Sequence, residues 1–419
     1  MLLILIIHGF PYYALMNRFQ NRLNRAGLSN GLNWKPKVAS INEESFNRTK
    51  LTIYNGGIGI NEFQNKKDIF EASFGRKIEA ITSDELSPEY TVIMFTKNNW
   101  PKVVKFSSIC NNINLHRDHF ILGHTLKGIV TQDINELPHM LIAGSTGSGK
   151  SIMMKEVLVS LMKSSPYLQV IFLDLKAGIE VQDFKNYPNV SIIKDMESAV
   201  YVLKRIKTEM DQRFSYLEQN GHREIVCERD KMDKILVVVD EASVLYMSNY
   251  ANQQAMKLSR MARELTDSLA KLSRAANIHL LLATQKVTKE TIDTHIQENI
   301  SGKFCFKTNT LAGSVTVLGN GAAYSLPDIP GRGFWSHGHK LIEVQVPLIT
   351  SEEVKQFGEK LVEEYKCGSR KMLQAKINLE PNSNSNGDSN SDNNSNNNNQ
   401  SNGPKNYKVE DVCIKQIEN

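Results

Sequence analysis

A chain of 419 residues is longer than one typical domain and is sufficient for two or three. Five cysteines lie far apart without a CxxC pair, which excludes a zinc knuckle or a disulfide framework and indicates a reducing, cytoplasmic setting. The formal net charge of +5 arises within the first fifty residues, where seven Lys and Arg side chains face two Glu side chains. Because the remainder is balanced, a large basic nucleic-acid-binding domain is excluded, and any contact with phosphates must be local.

The first segment, residues 1–35, begins with the apolar stretch MLLILIIHGFPYYALM and continues into an arginine cluster. A membrane-spanning helix needs about 20 apolar residues, and His8, Gly9 and Pro11 interrupt this stretch. It has neither the basic start nor the cleavage site of a signal peptide. The arginines would suit the cytoplasmic side of a membrane. Two interpretations stay open: association with the inner face of the cell membrane, and an apolar helix that packs on protein.

Residues 36–110 have the pattern of a small α+β domain. The stretches KLTIYNG and YTVIMFT alternate like strands, and NEFQNKKDIFEASFG has the apolar spacing of a helix that ends at a glycine.

Residues 116–350 alternate apolar strand-like runs with helical stretches, which predicts an α/β domain with a mainly parallel sheet. The predicted strands are HMLIA, LQVIFLDL, KILVVVD, IHLLLAT, GKFCFKT and LIEVQVP. Within residues 351–380, SEEVKQFGEKLVEEYKC predicts a closing helix.

The end of the chain changes composition. Residues 381–403 are rich in Asn and Ser with no apolar side chain to bury, which predicts a disordered linker. Residues 404–419 contain apolar positions, so both a docking peptide and a frayed terminus stay open.

A phosphate-binding loop is predicted by LIAGSTGSGKS, which satisfies G-x-x-x-x-G-K-[ST] between an apolar strand and a helix. Backbone N–H groups and a helix N-terminus converge on a phosphate in this context. A simple strand-to-helix turn would not explain a lysine at this position. The predicted nucleotide-binding residues are Gly144, Ser145, Thr146, Gly147, Ser148, Gly149, Lys150 and Ser151.

The predicted cofactors are ATP and Mg²⁺. We expect Lys150 to reach the β- and γ-phosphates and Ser151 to hold Mg²⁺. The buried strand KILVVVDE ends in Asp240, a second candidate metal ligand, and Glu241, which could polarise the attacking water. Gln285 ends the strand IHLLLATQ, where its amide could sense the γ-phosphate or the nucleophilic water, or could merely end the strand.

About two-thirds of the chain resembles the motor domain of FtsK/SpoIIIE-type ATPases. The resemblance rests on six segments in the same order and spacing: LPHMLIAGSTGSGKS, VIFLDLK, EMDQRFSYLEQNGHREI, ILVVVDE, LSRAANIHLLLATQ and LPDIPGRGFW. Residues 50–105 resemble, less distinctly, the small domain that precedes such motors.

This resemblance implies a RecA-like P-loop ATPase that assembles into a ring, usually a hexamer, and pulls double-stranded DNA through its channel. It assigns the phosphate lysine to Lys150, the metal aspartate to Asp240, the catalytic glutamate to Glu241 and the sensor to Gln285. It also places Asp174 and Lys176, in FLDLKAG, in a turn near the nucleotide or the subunit interface.

Two features depart from the family. Lys303 stands where the family tends to place an arginine that reaches the neighbouring subunit's γ-phosphate, and a lysine lacks the bidentate fork of arginine. Hydrolysis could therefore be slower, or Arg274 or Arg332 could reach the neighbouring γ-phosphate instead of Lys303. Each of these arginines could equally be a solvated surface charge. The chain also shows neither the multiple membrane helices nor the winged-helix domain of the division and sporulation members, which favours the compact motors of conjugative or integrative elements.

The leading hypothesis is therefore an ATP-hydrolysing DNA translocase or coupling protein, which could contact a membrane channel or a relaxosome-type complex. One alternative is a related ring ATPase that moves polypeptides through a secretion apparatus. Another is a nucleotide-gated docking protein with little hydrolysis.

Overall fold

The computed structural model describes most of the chain up to residue 374. The described residues are 2–45, 48–84, 87–96, 100, 103–176, 181–246, 252–285, 294–338 and 340–374. The predicted linker and the predicted C-terminal peptide lie outside these ranges, as do residues 375–380 of the closing segment.

The described ranges contain both helices and strands. The helices are α1 Leu2–Arg25, α2 Ile60–Asn65, α3 Lys67–Phe74, α4 Phe106–Cys110, α5 Lys150–Ser164, α6 Met196–Asn220, α7 Cys227–Asp230, α8 Ala242–Leu245, α9 Gln253–Leu272, α10 Thr294–Asn299, α11 Leu311–Leu318 and α12 Ser351–Lys366. The strands are β1 Lys37–Ser45, β2 Arg48–Tyr54, β3 Lys77–Ser83, β4 Tyr90–Thr96, β5 His119–Thr125, β6 Gly128–Asp133, β7 His139–Ala143, β8 Leu168–Leu173, β9 Val190–Ile193, β10 Lys234–Val239, β11 Ile278–Thr284, β12 Gly302–Phe306, β13 Arg332–His337 and β14 Lys340–Gln345.

The first four strands form a small antiparallel sheet in the order β1-β2-β4-β3. Its core contains α1 side chains as well, since Phe19 and Leu23 pack with Phe70 and Phe95. The second half of α1, from Leu15 onward, therefore packs on the small sheet. No helix in the described ranges is long and apolar enough to cross a membrane.

The predicted single helix in this region is two helices, because the backbone leaves helical geometry at Lys66 between α2 and α3. The predicted glycine stop is confirmed: Gly75 ends α3 with φ 62°, in the left-handed region that glycine adopts without strain.

The other ten strands form one sheet in the order β6-β5-β14-β13-β12-β7-β11-β10-β8-β9. The strands from β12 to β9 run parallel, which confirms the predicted mainly parallel α/β fold. The remaining strands pair antiparallel. Sequence analysis missed β9 at the parallel edge, and it missed β5, β6 and β13, so that β14 was the only strand of the antiparallel extension it predicted. Its strands are less uniformly apolar than the central ones, and β6 is largely half-buried.

The central strands are buried on both faces, so alternate residues enter two cores. Met140 and Ile142 of β7 belong to the core that contains α5, whereas Leu141 and Ala143 belong to the core that contains α6 and α9. This double burial explains why the strands read as continuous apolar runs in the sequence.

The predicted closing helix α12 packs on the α5 side of the sheet. A capping box fixes its start: Glu353 N–H donates to Thr350 Oγ1 at 3.2 Å, and Thr350 N–H donates to Glu353 Oε2 at 2.8 Å. Gly358 faces Tyr187, and a Cβ at Gly358 would lie 2.4 Å from Tyr187 Cε2. The buried ring cannot turn away freely, because Tyr187 Oη donates to Val354 O at 2.6 Å.

We therefore predict that Gly358→Ala destabilises the protein, although alanine is the better helix former by about 1 kcal/mol. Overpacking against Tyr187 should cost about 1–3 kcal/mol, leaving a net loss of roughly 1 kcal/mol. Urea denaturation followed by circular dichroism measures this. Gly59→Ala is the control, because Gly59 has φ −66° and open space beside it. Equal or greater stability of Gly358→Ala would contradict the packing argument.

Candidate nucleotide-binding site

The loop between β7 and α5 needs glycine at several positions. Gly144, Gly147 and Gly149 have φ values of 156°, 77° and 115°. A Cβ at Gly144 would lie 2.6 Å from Phe306 Cβ, and a Cβ at Gly149 would lie 3.1 Å from Gly331 Cα. The loop thus lies between the end of β12 and the turn before β13. Neither Gly144 nor Gly149 has room for a larger side chain.

Backbone contacts hold both ends of this loop. Ser145 donates to Lys307 O from its N–H at 3.2 Å and from its hydroxyl at 3.1 Å. On the other side, Gly331 N–H donates to Ser148 O at 2.8 Å. Ser148 Oγ is buried and has no hydrogen-bond partner in the described structure. Together with the N-terminus of α5, this unused hydroxyl fits a ligand that accepts hydrogen bonds, as a phosphate does.

Lys150 is the first residue of α5, and its side chain turns back onto the loop. Its ammonium group donates to Gly144 O at 2.7 Å and to Ser145 O at 2.9 Å. Only 8% of Lys150 is exposed, and this burial lowers its pKa to about 8, although the negative charge of Glu241 opposes the shift. The lysine therefore occupies the loop that a phosphate would enter.

Glu241 follows β10 and is held by donors on both carboxylate oxygens. Oε1 accepts from Ser243 Oγ at 2.6 Å, Thr284 Oγ1 at 2.8 Å and Gln285 N at 3.0 Å. Oε2 accepts from Lys176 Nζ at 2.9 Å and Gln285 N at 3.1 Å. Burial alone would raise the pKa of Glu241, but the donors, Ser243 and Lys176 foremost, hold it below its ordinary value. The carboxylate is ionised and fully engaged.

Gln285 connects this carboxylate to the phosphate loop. Its backbone N–H donates to Glu241, and its side-chain Oε1 accepts from Thr146 Oγ1 at 2.9 Å. The structure thus brings Gln285, Thr146 and Glu241 together, and the sensor role of Gln285 stays a prediction.

The turn after β8 supplies the lysine that binds Glu241. Asp174 shapes this turn, since its Oδ1 accepts from Lys176 N–H at 3.0 Å. Asp174 Oδ2 is buried without a hydrogen-bond partner in the described ranges. Sequence analysis placed both residues near the nucleotide or an interface but did not predict the Lys176–Glu241 ion pair.

Ser151 and Asp240 are the two predicted metal ligands, and both lie at this edge of the sheet. Ser151 is half-buried in the first turn of α5, and Asp240 follows β10 with 8% of its surface exposed. Mg²⁺ is commonly bound by one or two protein oxygens together with phosphate oxygens, which suits a hydroxyl and a carboxylate at this edge.

Lys303 does not lie beside the phosphate loop of its own chain. It is inside β12, paired with Leu141 of β7, and Gly144, just past the end of β7, is three residues beyond Leu141, or about 10 Å. Lys303 is half-buried, and burial lowers its pKa. Whether it acts on a neighbouring subunit stays a prediction.

Of the two alternative arginines, Arg332 is excluded from reaching a neighbouring subunit in this conformation. Its side chain is 3% exposed, and its guanidinium donates to Gln345 Oε1 and Glu343 Oε1, each at 3.0 Å. Neither sequence interpretation of Arg332, a residue that acts on a neighbouring subunit or a surface charge, included this burial, because the sequence does not show that β13 and β14 form a hairpin. Arg274 is exposed.

Residues 120–235 match the model of the FtsK/SpoIIIE family. The chain contains an FtsK/SpoIIIE domain. It is 30% identical over 273 residues to the DNA translocase FtsK of Oceanobacillus iheyensis, covering 59% of this chain and 33% of that protein. It is 29% identical over 271 residues to the DNA translocase SpoIIIE of Bacillus subtilis, covering 59% and 32%. The chain thus matches about a third of the length of these relatives.

Solved structures share the fold of the FtsK/SpoIIIE domain. The pCW3 conjugation coupling protein TcpA, in a monomer form with ATPγS, is similar with a TM-score of 0.62 at 21% identity, covering 84% of this chain and 99% of that one. The cytoplasmic domain of the Thermomonospora curvata type VII secretion ATPase EccC has a TM-score of 0.52 at 21% identity, covering 62% and 34%. These similarities confirm the predicted RecA-like fold class.

The lowered pKa of Lys150 predicts a pH dependence of polyphosphate binding. A triphosphate that forms an ion pair with Lys150 requires the protonated lysine. The affinity should therefore be highest well below pH 8 and fall by up to about tenfold per pH unit above it. Isothermal titration of Mg-ATPγS between pH 7 and pH 9.5 measures this.

Two variants show whether Lys150 is responsible. Lys150→Arg keeps its charge throughout this range and should bind with a flatter pH profile. Lys163→Met, at the far end of α5, should keep the profile of the unmodified protein. A flat profile in the unmodified protein would refute the assignment.

Proposed function

We propose that this chain is an ATP-hydrolysing DNA translocase that acts as a coupling protein in conjugative or mobile-element DNA transfer. The observation that carries the proposal is the continuous contact from the phosphate loop to Glu241, in which Thr146 binds Gln285 and Gln285 binds the carboxylate. A loop that served only as a turn would not need to be linked by hydrogen bonds to an ionised glutamate.

Each residue then has a chemical task. Lys150 and the N–H groups of residues 144–151 would bind the phosphates, and Ser151 and Asp240 would hold Mg²⁺, which supplies charge neutralisation when bound. Glu241 would orient and deprotonate the attacking water. For this it must give up at least one of its present donors. Lys176 is a suitable donor to leave, because its partly exposed ammonium can turn toward an incoming phosphate.

DNA as the moved polymer is supported by the relatives, whose names describe DNA translocases. The coupling role is supported by the conjugation coupling protein, whose chain is matched almost completely. We further propose a ring, expected to be a hexamer on double-stranded DNA, at the cytoplasmic face of the membrane beside a transfer channel or relaxosome-type complex.

A polypeptide-moving ATPase is the second candidate, because the fold is also shared with the type VII secretion ATPase EccC. The two candidates use the same nucleotide chemistry and differ in the polymer. A nucleotide-gated docking protein would differ from both by hydrolysing little ATP.

The test is ATP turnover by the full chain with and without DNA. We expect double-stranded DNA to raise turnover. Glu241→Gln should bind Mg-ATP but lower turnover by about 10²–10⁴-fold, because it removes the general base. Lys150→Ala should lose both Mg-ATP binding and turnover. Lys163→Met should behave as the unmodified protein. An ATP turnover rate that is the same with and without DNA would favour the polypeptide-moving ATPase. Unimpaired DNA transfer by Glu241→Gln would favour the docking protein.

Action of Lys303 on a neighbouring subunit can be tested by mixing variants. Lys303→Ala and Glu241→Gln should each be nearly inactive alone. In a mixed ring, a Lys303→Ala subunit keeps its own Glu241 and receives Lys303 from its neighbour, so turnover should recover severalfold. No recovery despite verified mixed assembly would contradict action in trans, and full activity of Lys303→Ala alone would show that the residue is dispensable.

A further inference from the structure

The turn before β13 forms one wall of the phosphate loop. Gly331 donates its N–H to Ser148 O at 2.8 Å and lies against Gly149. Gly331 itself has φ 80°, and a Cβ there would lie 2.6 Å from Gln345 Nε2. The wall is therefore a backbone segment that touches the loop directly, without a side chain between them.

Side chains of the β13–β14 hairpin hold this wall in place. Gln345 Nε2 donates to Pro330 O at 2.9 Å, and Gln345 Oε1 accepts from Arg332 Nε at 3.0 Å. Val346 N–H donates to Gly331 O at 2.8 Å. Since Arg332 orients the amide of Gln345, the position of the wall depends on where the Arg332 guanidinium lies.

The guanidinium of Arg332 is in turn held from the N-terminal part of the chain. It lies 3.8 Å from the centre of the Trp100 ring, a close cation–π contact. Its other partner, Glu343, is 3.6 Å from Lys67 Nζ at the start of α3 in the small domain. Trp100 follows the last strand of the small sheet, β4, by four residues. Two contacts from this part of the chain thus meet at Arg332 or its carboxylate partner.

From these contacts we propose that Arg332 is a positioning residue through which Trp100, and to a lesser degree Lys67, set the geometry of the phosphate loop. The small domain and its connection to the motor then tune nucleotide affinity without touching the nucleotide. The part concerning affinity rests on the proposed function, whereas the mechanical link to the loop does not.

Trp100 is the residue to change, because replacing the buried Arg332 could prevent folding. Trp100→Ala should raise the Kd and KM for Mg-ATP about three- to tenfold and leave kcat within twofold, since Glu241 and its donors are untouched. Trp100→Phe keeps an aromatic face and should recover most of the affinity. Trp34→Ala is the matched control, because Trp34 is a second tryptophan of the N-terminal part, 57% exposed, with its ring near Lys37.

Hydrogen–deuterium exchange of the nucleotide-free full chain separates this proposal from the proposed function. Trp100→Ala should speed exchange in peptides covering residues 144–151 and 329–332, and Trp34→Ala should not. If the unmodified chain fails to bind ATP but this exchange pattern appears, the proposed function fails and the link stands. If Trp100→Ala matches Trp34→Ala in both affinity and exchange, the link is refuted.

Discussion

The parallel pairing of β7, β11, β10 and β8 is the constraint on which the candidate site depends. Parallel strands end at the same edge of a sheet, so four chain segments that are distant in sequence deliver their next residues to one place. Lys150 follows β7, Gln285 follows β11, Glu241 follows β10 and Lys176 follows β8. These strands are buried on both faces, and at their common edge Thr146 and Gln285, 139 positions apart, form a hydrogen bond of 2.9 Å.

Lys150, Lys176 and Glu241 lie together at this edge of the sheet. Each of the three charges has hydrogen-bond partners within the protein. Lys150 is stabilised by loop carbonyls, whereas Glu241 is stabilised by four donor residues. Under the proposed function, this arrangement would separate binding from hydrolysis, because the loop could accept a phosphate before the carboxylate is free to act. The Lys176–Glu241 ion pair would couple the two steps, since it joins the turn after β8 to the proposed base.

Sequence reasoning succeeded where a pattern reflects local geometry. The glycine spacing predicted the loop, and the continuous apolar run KILVVVDE predicted a buried strand that presents Asp240 and Glu241. It failed where the outcome depends on pairing between distant segments. The hairpin of β13 and β14 buries Arg332 against Glu343 and Gln345, and nothing in GRGFW distinguishes such an arginine from one on the surface. The donors Ser243 and Thr284 were likewise invisible, because hydroxyl residues beside strand ends are common.

Under the proposed function, the contacts of Lys150 with Gly144 and Ser145 affect the release of product. An ammonium group that already has two carbonyl partners within its own loop leaves a spent nucleotide without requiring a counterion from solvent. The two loop carbonyls therefore compete with a bound diphosphate for the hydrogen bonds that Lys150 donates. This competition would favour rapid release of the diphosphate product over its tight retention.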